Sequence, residues 1–180
     1  MVCTGNICRS PAAERLLRHG LVSLGVGEQT LVESAGTGAV VGHPIQADMA
    51  ELLTADGVRA DEFAARQITR ELIDEAELIL VAAQQNRQRL VRLRPQALTK
   101  SFTLKEFARL VPLVPTVGAP TDPAQRLRWL TRHAPMARGR QTQSPGGDDI
   151  ADPYMQGDDS YSVAYSALRS AVDKILSQLG

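Results

Sequence analysis

Two patterns of apolar residues alternate along the chain. Short apolar runs predict β-strands at 31–35, 78–82 and 100–104. The run at 78–82 is continuous, as in a parallel strand that is covered on both faces. Between these runs, apolar residues recur every three or four positions, which predicts amphipathic helices. The predicted helices span 11–19, 45–55, 70–75, 84–93, 105–110, 123–132 and 162–179.

Residues with known positional preferences mark several helix ends. Ser10 suits the N-cap and Pro11 the first helical position, while Gly20 is expected to end the first helix. Thr69 is a second predicted N-cap, and Pro95 is expected to end the helix before it. Strands that alternate with helices in this way predict an α/β fold, in which a parallel sheet lies between two layers of helices.

Length and charge limit the classes of function. At 180 residues, the chain is expected to form one domain, residues 1–180. Its 20 Lys and Arg residues balance its 20 Asp and Glu residues, so net charge gives no attraction to nucleic acid or to a membrane surface. The sequence has no apolar run long enough to span a membrane and no secretory signal. We therefore expect a cytoplasmic protein.

The cysteines and histidines argue against disulfides and metal sites. Cys3 and Cys8 are the two cysteines of the sequence, and their spacing is not typical of a disulfide framework. His19, His43 and His133 stand apart from one another and from any suitably spaced ligands. The sequence therefore predicts a reducing compartment, no metal site and no cofactor.

The stretch from Cys3 to Arg9 leads directly into the first predicted helix. A loop in that position turns backbone N–H groups toward one point, where the helix dipole adds positive potential. Gly5 allows a tight turn, and Asn6 tolerates left-handed backbone. The planar guanidinium of Arg9 can hold two oxygens of a tetrahedral anion. The loop is therefore predicted to bind phosphate.

Cys3 lies at the start of this loop. A thiol that faces a helix N-terminus and an arginine is expected to be a thiolate at neutral pH. A thiolate beside a bound phosphate can attack the phosphorus. The alternative interpretation is a buried structural cysteine in an ordinary turn between a strand and a helix.

Together these residues resemble a known motif. The stretch Cys3-Thr4-Gly5-Asn6-Ile7-Cys8-Arg9-Ser10-Pro11 is similar to the signature loop of the low-molecular-weight protein tyrosine phosphatases. That family also carries an Asp-Pro-Tyr motif near its C-terminus, and this chain has Asp152-Pro153-Tyr154. Two separate motifs in the family's order make the resemblance specific, and it covers most of the chain.

The resemblance implies a particular sheet. Its four parallel strands are expected in the order 2-1-3-4, with the signature loop at the carboxyl end of strand 1, where such folds bind ligands. Only Met1 and Val2 precede Cys3 in this sequence, whereas relatives have several apolar residues there. We therefore expect a first strand that is truncated at the N-terminus, from either a misassigned start or a shortened protein.

Residues 111–147 have no clear counterpart in the shorter members of the family and are predicted to be an insertion. The segment is rich in proline and arginine. One interpretation is a solvated surface segment, and the other is an additional flank beside the active site that selects partners. Trp129 is predicted to anchor the insertion by packing.

The resemblance also assigns chemical roles. Cys3 is the expected nucleophile, Arg9 binds the phosphate, and Asp152 protonates the leaving oxygen and then activates water. Backbone N–H groups of the loop hold the equatorial phosphate oxygens. Besides Arg9, the expected phosphate-binding residues are Thr4, Gly5, Asn6, Ile7 and Cys8.

Residues around the loop are expected to support it. The hydroxyl of Ser10 can donate to the sulfur of Cys3. In the family, a serine at the position of Ser34 steadies the loop asparagine, here Asn6, although an ordinary strand residue is the alternative. Tyr154 is expected either to line the mouth of the pocket and stack on an aromatic substrate, or to be a surface turn residue.

Cys8 has two interpretations. It is either a small buried residue of the loop, or a resolving thiol that protects Cys3 through a reversible disulfide under oxidation. The family resemblance favours the second role as an addition to the first.

The resemblance thus implies a protein tyrosine phosphatase that acts through a phosphocysteine intermediate. The expected substrate is a tyrosine-phosphorylated protein or an aryl phosphate, and the expected assembly is a monomer or weak dimer. Protein arginine phosphatases tend to carry threonine where this chain has Ile7, and arsenate reductases of the same fold need cysteines beyond Cys8. A non-catalytic phosphate-binding protein is the remaining alternative, because the first strand is short.

Overall fold

The computed structural model describes residues 1–140 and 147–180. Its centre is a parallel sheet with the strand order β2-β1-β3-β4, which confirms the expected order. The strands are short, with two or three residues each. They are β1 (Val2–Cys3), β2 (Ala35–Gly36), β3 (Ile79–Val81) and β4 (Ser101–Thr103).

Strand β1 lies in the middle of the sheet and has neighbours on both sides. Val2 pairs with Ala35 of β2 and with Val81 of β3, and Cys3 pairs with Gly36. Both of these pairings are parallel, so the carboxyl ends of the three strands meet at one edge. The chain after Cys3 therefore begins at the centre of that edge.

Helices cover both faces of the sheet, as the alternating pattern predicts. Side chains of successive strand residues point to opposite faces, so Ile79 and Val81 join a smaller apolar core while Leu80 joins a larger one. The helices are α1 (Arg9–Ser23), α2 (Ala47–Ala55), α3 (Arg70–Glu75), α4 (Gln84–Leu93), α5 (Ala97–Lys100), α6 (Leu104–Leu110), α7 (Pro123–Ala137) and α8 (Asp158–Leu176).

Most predicted elements are present with modest changes in their ends. Helix α4 has the predicted bounds, and Thr69 caps α3 by accepting a hydrogen bond from the Leu72 N–H. The prediction of a strand over 31–35 was wrong for most of its length. β2 begins at Ala35, because Ala35 and Gly36 are the residues of this segment that pair with Val2 and Cys3 of β1.

Helix α1 does not end at Gly20, as the sequence suggested, but continues to Ser23. A Cβ at position 20 would lie 2.1 Å from Cδ1 of Leu176 in α8. The glycine therefore lets α1 and α8 pack closely instead of ending the helix. This close contact joins the two helices over the larger core.

The segment predicted to be an insertion contributes to the larger core as far as the structure describes it. Buried apolar residues of α7, including Leu127 and Leu130, belong to the same cluster as the sheet residue Leu80. Trp129 stacks on His133 with ring centroids 4.0 Å apart, and its indole N–H donates to the carbonyl of Pro115. Residues 141–146 of the predicted insertion lie outside the described residues.

Across the described ranges, no helix is both long enough and apolar enough to cross a membrane.

Candidate active site

The loop over residues 3–9 connects β1 to α1 at the carboxyl edge of the sheet. Its backbone carbonyls point away from the loop centre, because surrounding N–H groups bind them. The donors come from the segment after β2, from the turn before α2 and from α1. In each pair, the N–H of the first residue donates to the carbonyl of the second: Thr37 to Cys3, Gly38 to Thr4, Val40 to Gly5, Gln46 to Ile7 and Ala12 to Cys8.

This pattern sets the direction of the loop's N–H groups. In a trans peptide unit, the N–H of a residue points opposite to the carbonyl of the residue before it. The N–H groups of Thr4, Gly5, Asn6 and Cys8 must therefore point inward. The Asn6 N–H shows this directly, since it donates to Sγ of Cys3 at 3.3 Å. The loop presents convergent donors of the kind that bind an anion.

Asn6 holds the loop in shape. Its backbone is left-handed, with φ of 55°, and its side chain is fully buried. The side-chain Nδ2 donates to Oγ of Ser10 and to Oγ of Ser34, each at 2.9 Å. Its Oδ1 accepts from the Arg66 N–H at 2.8 Å. The side-chain amide is thus bonded at both ends, which holds the strained backbone in one conformation.

Ser10 does not cap the helix, which corrects one sequence-based prediction. Helix α1 begins two residues earlier than predicted, at Arg9, and Cys8 is its N-cap without a side-chain bond. The Ser10 hydroxyl donates instead to Sγ of Cys3 at 3.0 Å. The sulfur therefore accepts two hydrogen bonds, and both stabilise it in the thiolate form.

Arg9 is almost completely buried, with 2% of its surface exposed. Its Nη1 donates to the carbonyl of Ile150 at 3.0 Å, and its Nη2 contacts the carboxylate of Asp152. Among the described residues, Nε has no hydrogen-bond partner. A buried donor without a partner is costly, and an oxygen of a bound anion would supply one.

The second motif approaches the loop from residues 147–157. The carboxylate of Asp152 contacts the guanidinium of Arg9. Because 46% of the Asp152 side chain is exposed, it faces both the loop and solvent. The N–H of Tyr154 donates to Oδ1 of Asp152 at 3.4 Å. The structure thus unites Cys3, Arg9 and Asp152, and it leaves Tyr154 exposed beside them.

Cys8 is buried, as is Cys3. Burial first, then the nearby Cys3, raises the pKa of the Cys8 thiol to about 12. Tyr161, near the start of α8, is one of the residues that influence this thiol. Both cysteines are free thiols. At neutral pH, Cys8 is therefore protonated.

Several contacts to the site come from residues that carry no signal in the sequence. Asn86 of α4 donates from Nδ2 to Oγ1 of Thr4 at 3.2 Å. The backbone N–H of Arg66 donates to Oδ1 of Asn6, and its side-chain Nε donates to the carbonyl of Ser34. These partners lie dozens of residues from the loop and belong to no motif, so only the fold reveals them.

The described residues contain no group of three or more His, Cys, Asp or Glu side chains that could hold a metal ion. The available groups are a sulfur with two hydrogen-bond donors, a set of inward N–H groups, a buried guanidinium and a carboxylate. This arrangement can bind a tetrahedral oxyanion next to a nucleophile and supply a proton to a departing group.

Sequence comparison points to one family. The family model of the low molecular weight phosphotyrosine protein phosphatases matches residues 1–112. The chain is 36% identical over 107 residues to a probable low molecular weight protein-tyrosine-phosphatase, EpsP, of Ralstonia solanacearum. That match covers 59% of this chain and 70% of EpsP.

Solved structures agree with the sequence comparison. The low molecular weight protein tyrosine phosphatase from T. tengcongensis superposes with a TM-score of 0.72 at 26% identity, covering 99% of this chain and 96% of that one. The YwlE arginine phosphatase from Geobacillus stearothermophilus has a TM-score of 0.69 at 27% identity, covering 99% and 89%. With the family match over more than half of its length, this chain belongs to the low-molecular-weight protein-tyrosine-phosphatase family.

Proposed function

We propose that this protein is a phosphatase that hydrolyses phosphotyrosine through a phosphocysteine intermediate. One observation carries the proposal: Sγ of Cys3 accepts hydrogen bonds from Ser10 and Asn6 at the base of a loop whose N–H groups point inward. A sulfur in such a position is both activated and placed against any phosphate that the loop binds.

In the first step, the Cys3 thiolate attacks the phosphorus, and the bond from phosphorus to the tyrosyl oxygen breaks as the sulfur–phosphorus bond forms. Negative charge spreads over the equatorial oxygens, which the loop N–H groups and Arg9 hold. Asp152 gives its proton to the departing tyrosyl oxygen. The products of this step are the substrate with a dephosphorylated tyrosine and the enzyme with a phosphocysteine.

In the second step, water attacks the phosphocysteine. The Asp152 carboxylate takes a proton from that water, and the sulfur–phosphorus bond breaks. Cys3 leaves as a thiolate, which the hydroxyl of Ser10 stabilises, and inorganic phosphate is released. Asp152 is then protonated again, ready for the next turnover.

The remaining residues are proposed to support these steps. Thr4, Gly5, Asn6, Ile7 and Cys8 supply the backbone of the phosphate site. Ser10 and Ser34 hold the loop through Asn6, which is supported by the two 2.9 Å hydrogen bonds of its side chain. Tyr154, exposed beside Asp152, is proposed to lie at the rim and contact the aromatic ring of the substrate.

A phosphorylated arginine is the main competing substrate, since one solved structure that resembles this chain is an arginine phosphatase. An apolar side chain at Ile7, in place of the threonine typical of arginine phosphatases, would favour an aromatic ester. Ile7 is buried in the larger core, however, so little of it can contact a substrate. An arsenate reductase is disfavoured because the sequence has two cysteines.

We also propose that the protein acts as a single domain, as a monomer or weak dimer, on tyrosine-phosphorylated proteins in the cytoplasm. The free thiol of Cys3 supports the location, because a thiolate nucleophile needs a reducing compartment. The shared core of the sheet and α7 supports the single domain.

The test compares three substrates in metal-free buffer: p-nitrophenyl phosphate, a phosphotyrosine peptide and a phosphoarginine peptide. We expect hydrolysis of the first two, loss of turnover in Cys3→Ser, and phosphate binding by Cys3→Ser that calorimetry still detects. Arg9→Lys should lose both turnover and binding, since an ammonium lacks the fork geometry.

Three results would overturn the proposal. Preference for phosphoarginine would make the protein an arginine phosphatase. Phosphate binding without turnover by the wild-type protein would make it a binding module. Undiminished hydrolysis by Cys3→Ser would exclude the cysteine mechanism.

A further inference from the structure

The loop that carries Asp152 is fixed to the fold by an ion pair four residues before it. Arg109, near the end of α6, contacts both carboxylate oxygens of Asp148: Nε lies 3.3 Å from Oδ1 and Nη2 lies 2.7 Å from Oδ2. The exposed fractions of the two side chains are 27% and 16%. A two-point contact with this little exposure fixes both distance and orientation.

The next two residues are also bound to the body of the protein. Oδ1 of Asp149 accepts the N–H of Gln84 at 2.8 Å, at the start of α4, where the N-cap residue offers no side-chain acceptor. The N–H of Ile150 donates to the carbonyl of Ala82 at 2.9 Å, directly after β3, and its side chain is buried. Three successive residues therefore bind α6, α4 and the end of β3.

The residues that follow Asp152 are held differently. Tyr154 and Met155 are exposed, and Met155 and Gly157 have positive φ angles of 61° and 89°. The Ser160 hydroxyl binds the Pro153 carbonyl at 3.0 Å. The loop backbone is thus attached to α6, α4 and the end of β3 by the residues that precede Asp152, while the Asp152 carboxylate itself contacts Arg9.

Helix α6, which carries Arg109, is itself held in place by other contacts. Thr103 and Glu106 form a reciprocal capping box at its N-terminus. Glu106 also binds Arg138, whose guanidinium lies 4.1 Å from the ring centroid of Phe102. Arg109 therefore projects from an element that is itself held at its start, as a precisely placed group requires.

We propose that Arg109 is a positioning residue for the acid step, which acts through Asp148 to hold Asp152 at the oxygen of the leaving group. This inference rests on the proposed phosphatase mechanism. It also gives structural roles to Asp148 and Asp149, two other carboxylates of the loop: one binds Arg109 and the other binds the N–H of Gln84.

The test uses leaving groups of different acidity. Arg109→Gln should lower kcat for phosphotyrosine by about 10- to 100-fold, because a misplaced catalytic group costs that much. It should lower kcat much less for 2,4-dinitrophenyl phosphate, whose leaving group departs without a proton. KM should stay nearly constant for both. Arg109→Lys, which keeps the charge but loses the fork, should recover part of the rate.

Arg94→Gln is the matched control. Arg94 forms a similar two-point pair with Asp74 at the other end of α4, away from the loop. Its removal should leave both kcat values near those of the wild-type protein. If Arg109→Gln does not fold, Asp148→Asn tests the same contact with a side chain of nearly the same size, and it should show the same dependence on the leaving group.

The double variant Arg109→Gln/Asp148→Asn should be no slower than either single variant, because both remove one contact. Equal slowing of the two substrates, additive losses in the double variant, or an equal loss in Arg94→Gln would overturn the positioning role. If the wild-type protein shows no hydrolysis that depends on Cys3, the proposed function fails instead, so the two failures are distinguishable.

Discussion

The hydroxyl of Ser10 lies 3.0 Å from Sγ of Cys3 and donates to it, although the two residues are in different elements. Ser10 in turn accepts from the buried side chain of Asn6 at 2.9 Å. Because Asn6 occupies that hydroxyl oxygen, the hydroxyl proton is directed to the sulfur. The serine is therefore a fixed donor, and its value is greatest when the sulfur is negatively charged.

Replacing Ser10 by alanine should slow the release of phosphate from Cys3 more than the first attack, since the leaving thiolate loses a donor. A hydrogen bond to a charged group is worth about 1.5–3 kcal/mol, so we expect kcat to fall by about 10- to 100-fold. Rapid mixing with p-nitrophenyl phosphate should show a burst of p-nitrophenol larger than that of the wild-type protein.

Ser23→Ala is the control for this change. Ser23 lies at the other end of α1, where its hydroxyl donates to the carbonyl of His19. It should leave kcat unchanged. A wild-type rate in Ser10→Ala, with no enlarged burst, would show that the hydrogen bond to Cys3 does not contribute to turnover.

The sequence could predict those parts of the site whose residues lie close together along the chain. The loop from Cys3 to Arg9 occupies seven successive positions, so the spacing of its residues alone indicates an anion site. Arg66, Asn86 and Ile150 reach the same loop from other elements. They are common residue types without a motif, so their contribution depends on tertiary contacts that no local pattern encodes.

The same reasoning applies to the fold. Helix α4 could be predicted because its amphipathic pattern and the following Pro95 are local signals. The extent of β2 could not, since a strand exists only where a neighbour pairs with it. Gly20 carried a misleading signal, because glycine serves both helix ends and close helix packing.

Asp152→Asn should slow phosphotyrosine hydrolysis by about 10²–10⁴-fold, the usual contribution of a general acid. An activated aryl phosphate should be affected less. The basic limb of the pH–rate profile, where a general acid loses its proton, should flatten. The fold should survive, since asparagine still suits the position before Pro153 and can accept from the Tyr154 N–H.

Asp159→Asn, a change to an exposed carboxylate early in α8, provides the comparison and should leave the pH profile as it is. Equal slowing of good and poor leaving groups by Asp152→Asn would remove Asp152 as the proton donor.

Alkylation should distinguish the two cysteines. Burial raises the pKa of Cys8 to about 12, so its thiol stays protonated across the range in which iodoacetamide is normally used. A brief treatment at pH 7 should therefore spare Cys8. The label should appear on Cys3, whose sulfur accepts two hydrogen bonds in the phosphate loop, and inorganic phosphate should protect it. Fragmentation of the labelled peptide by mass spectrometry locates the modification.

Raising the pH from 7 to 9 should still leave Cys8 unlabelled, because both values lie well below the pKa of its thiol. Cys3→Ser should take up no label under these conditions. Labelling of Cys8 at neutral pH in that variant would contradict the raised pKa of its thiol.

Gly20→Ala should destabilise the protein, because the new Cβ would overlap Cδ1 of Leu176. Overpacking of this kind costs about 1–3 kcal/mol, partly offset by up to about 1 kcal/mol from the higher helix propensity of alanine. We expect a lower midpoint in urea unfolding. Gly139→Ala is the control, since a Cβ there meets no atom of the described residues within 4 Å.

Adding Leu176→Ala to Gly20→Ala should remove the clash, so the pair should be less destabilising than the sum of the two single changes. An unchanged urea midpoint in Gly20→Ala would mean that Leu176 moves aside freely and that the contact between α1 and α8 is not tight.

The outward carbonyls of the 3–9 loop have a consequence for how such an enzyme can evolve. An anion site made of main-chain N–H groups is preserved when Thr4 or Ile7 is exchanged, because their side chains do not form it. Natural variation at these positions should therefore change the affinity for phosphate very little. New substrate preferences should instead arise through exposed neighbours such as Val40 and Tyr154, which can change without loss of the chemistry.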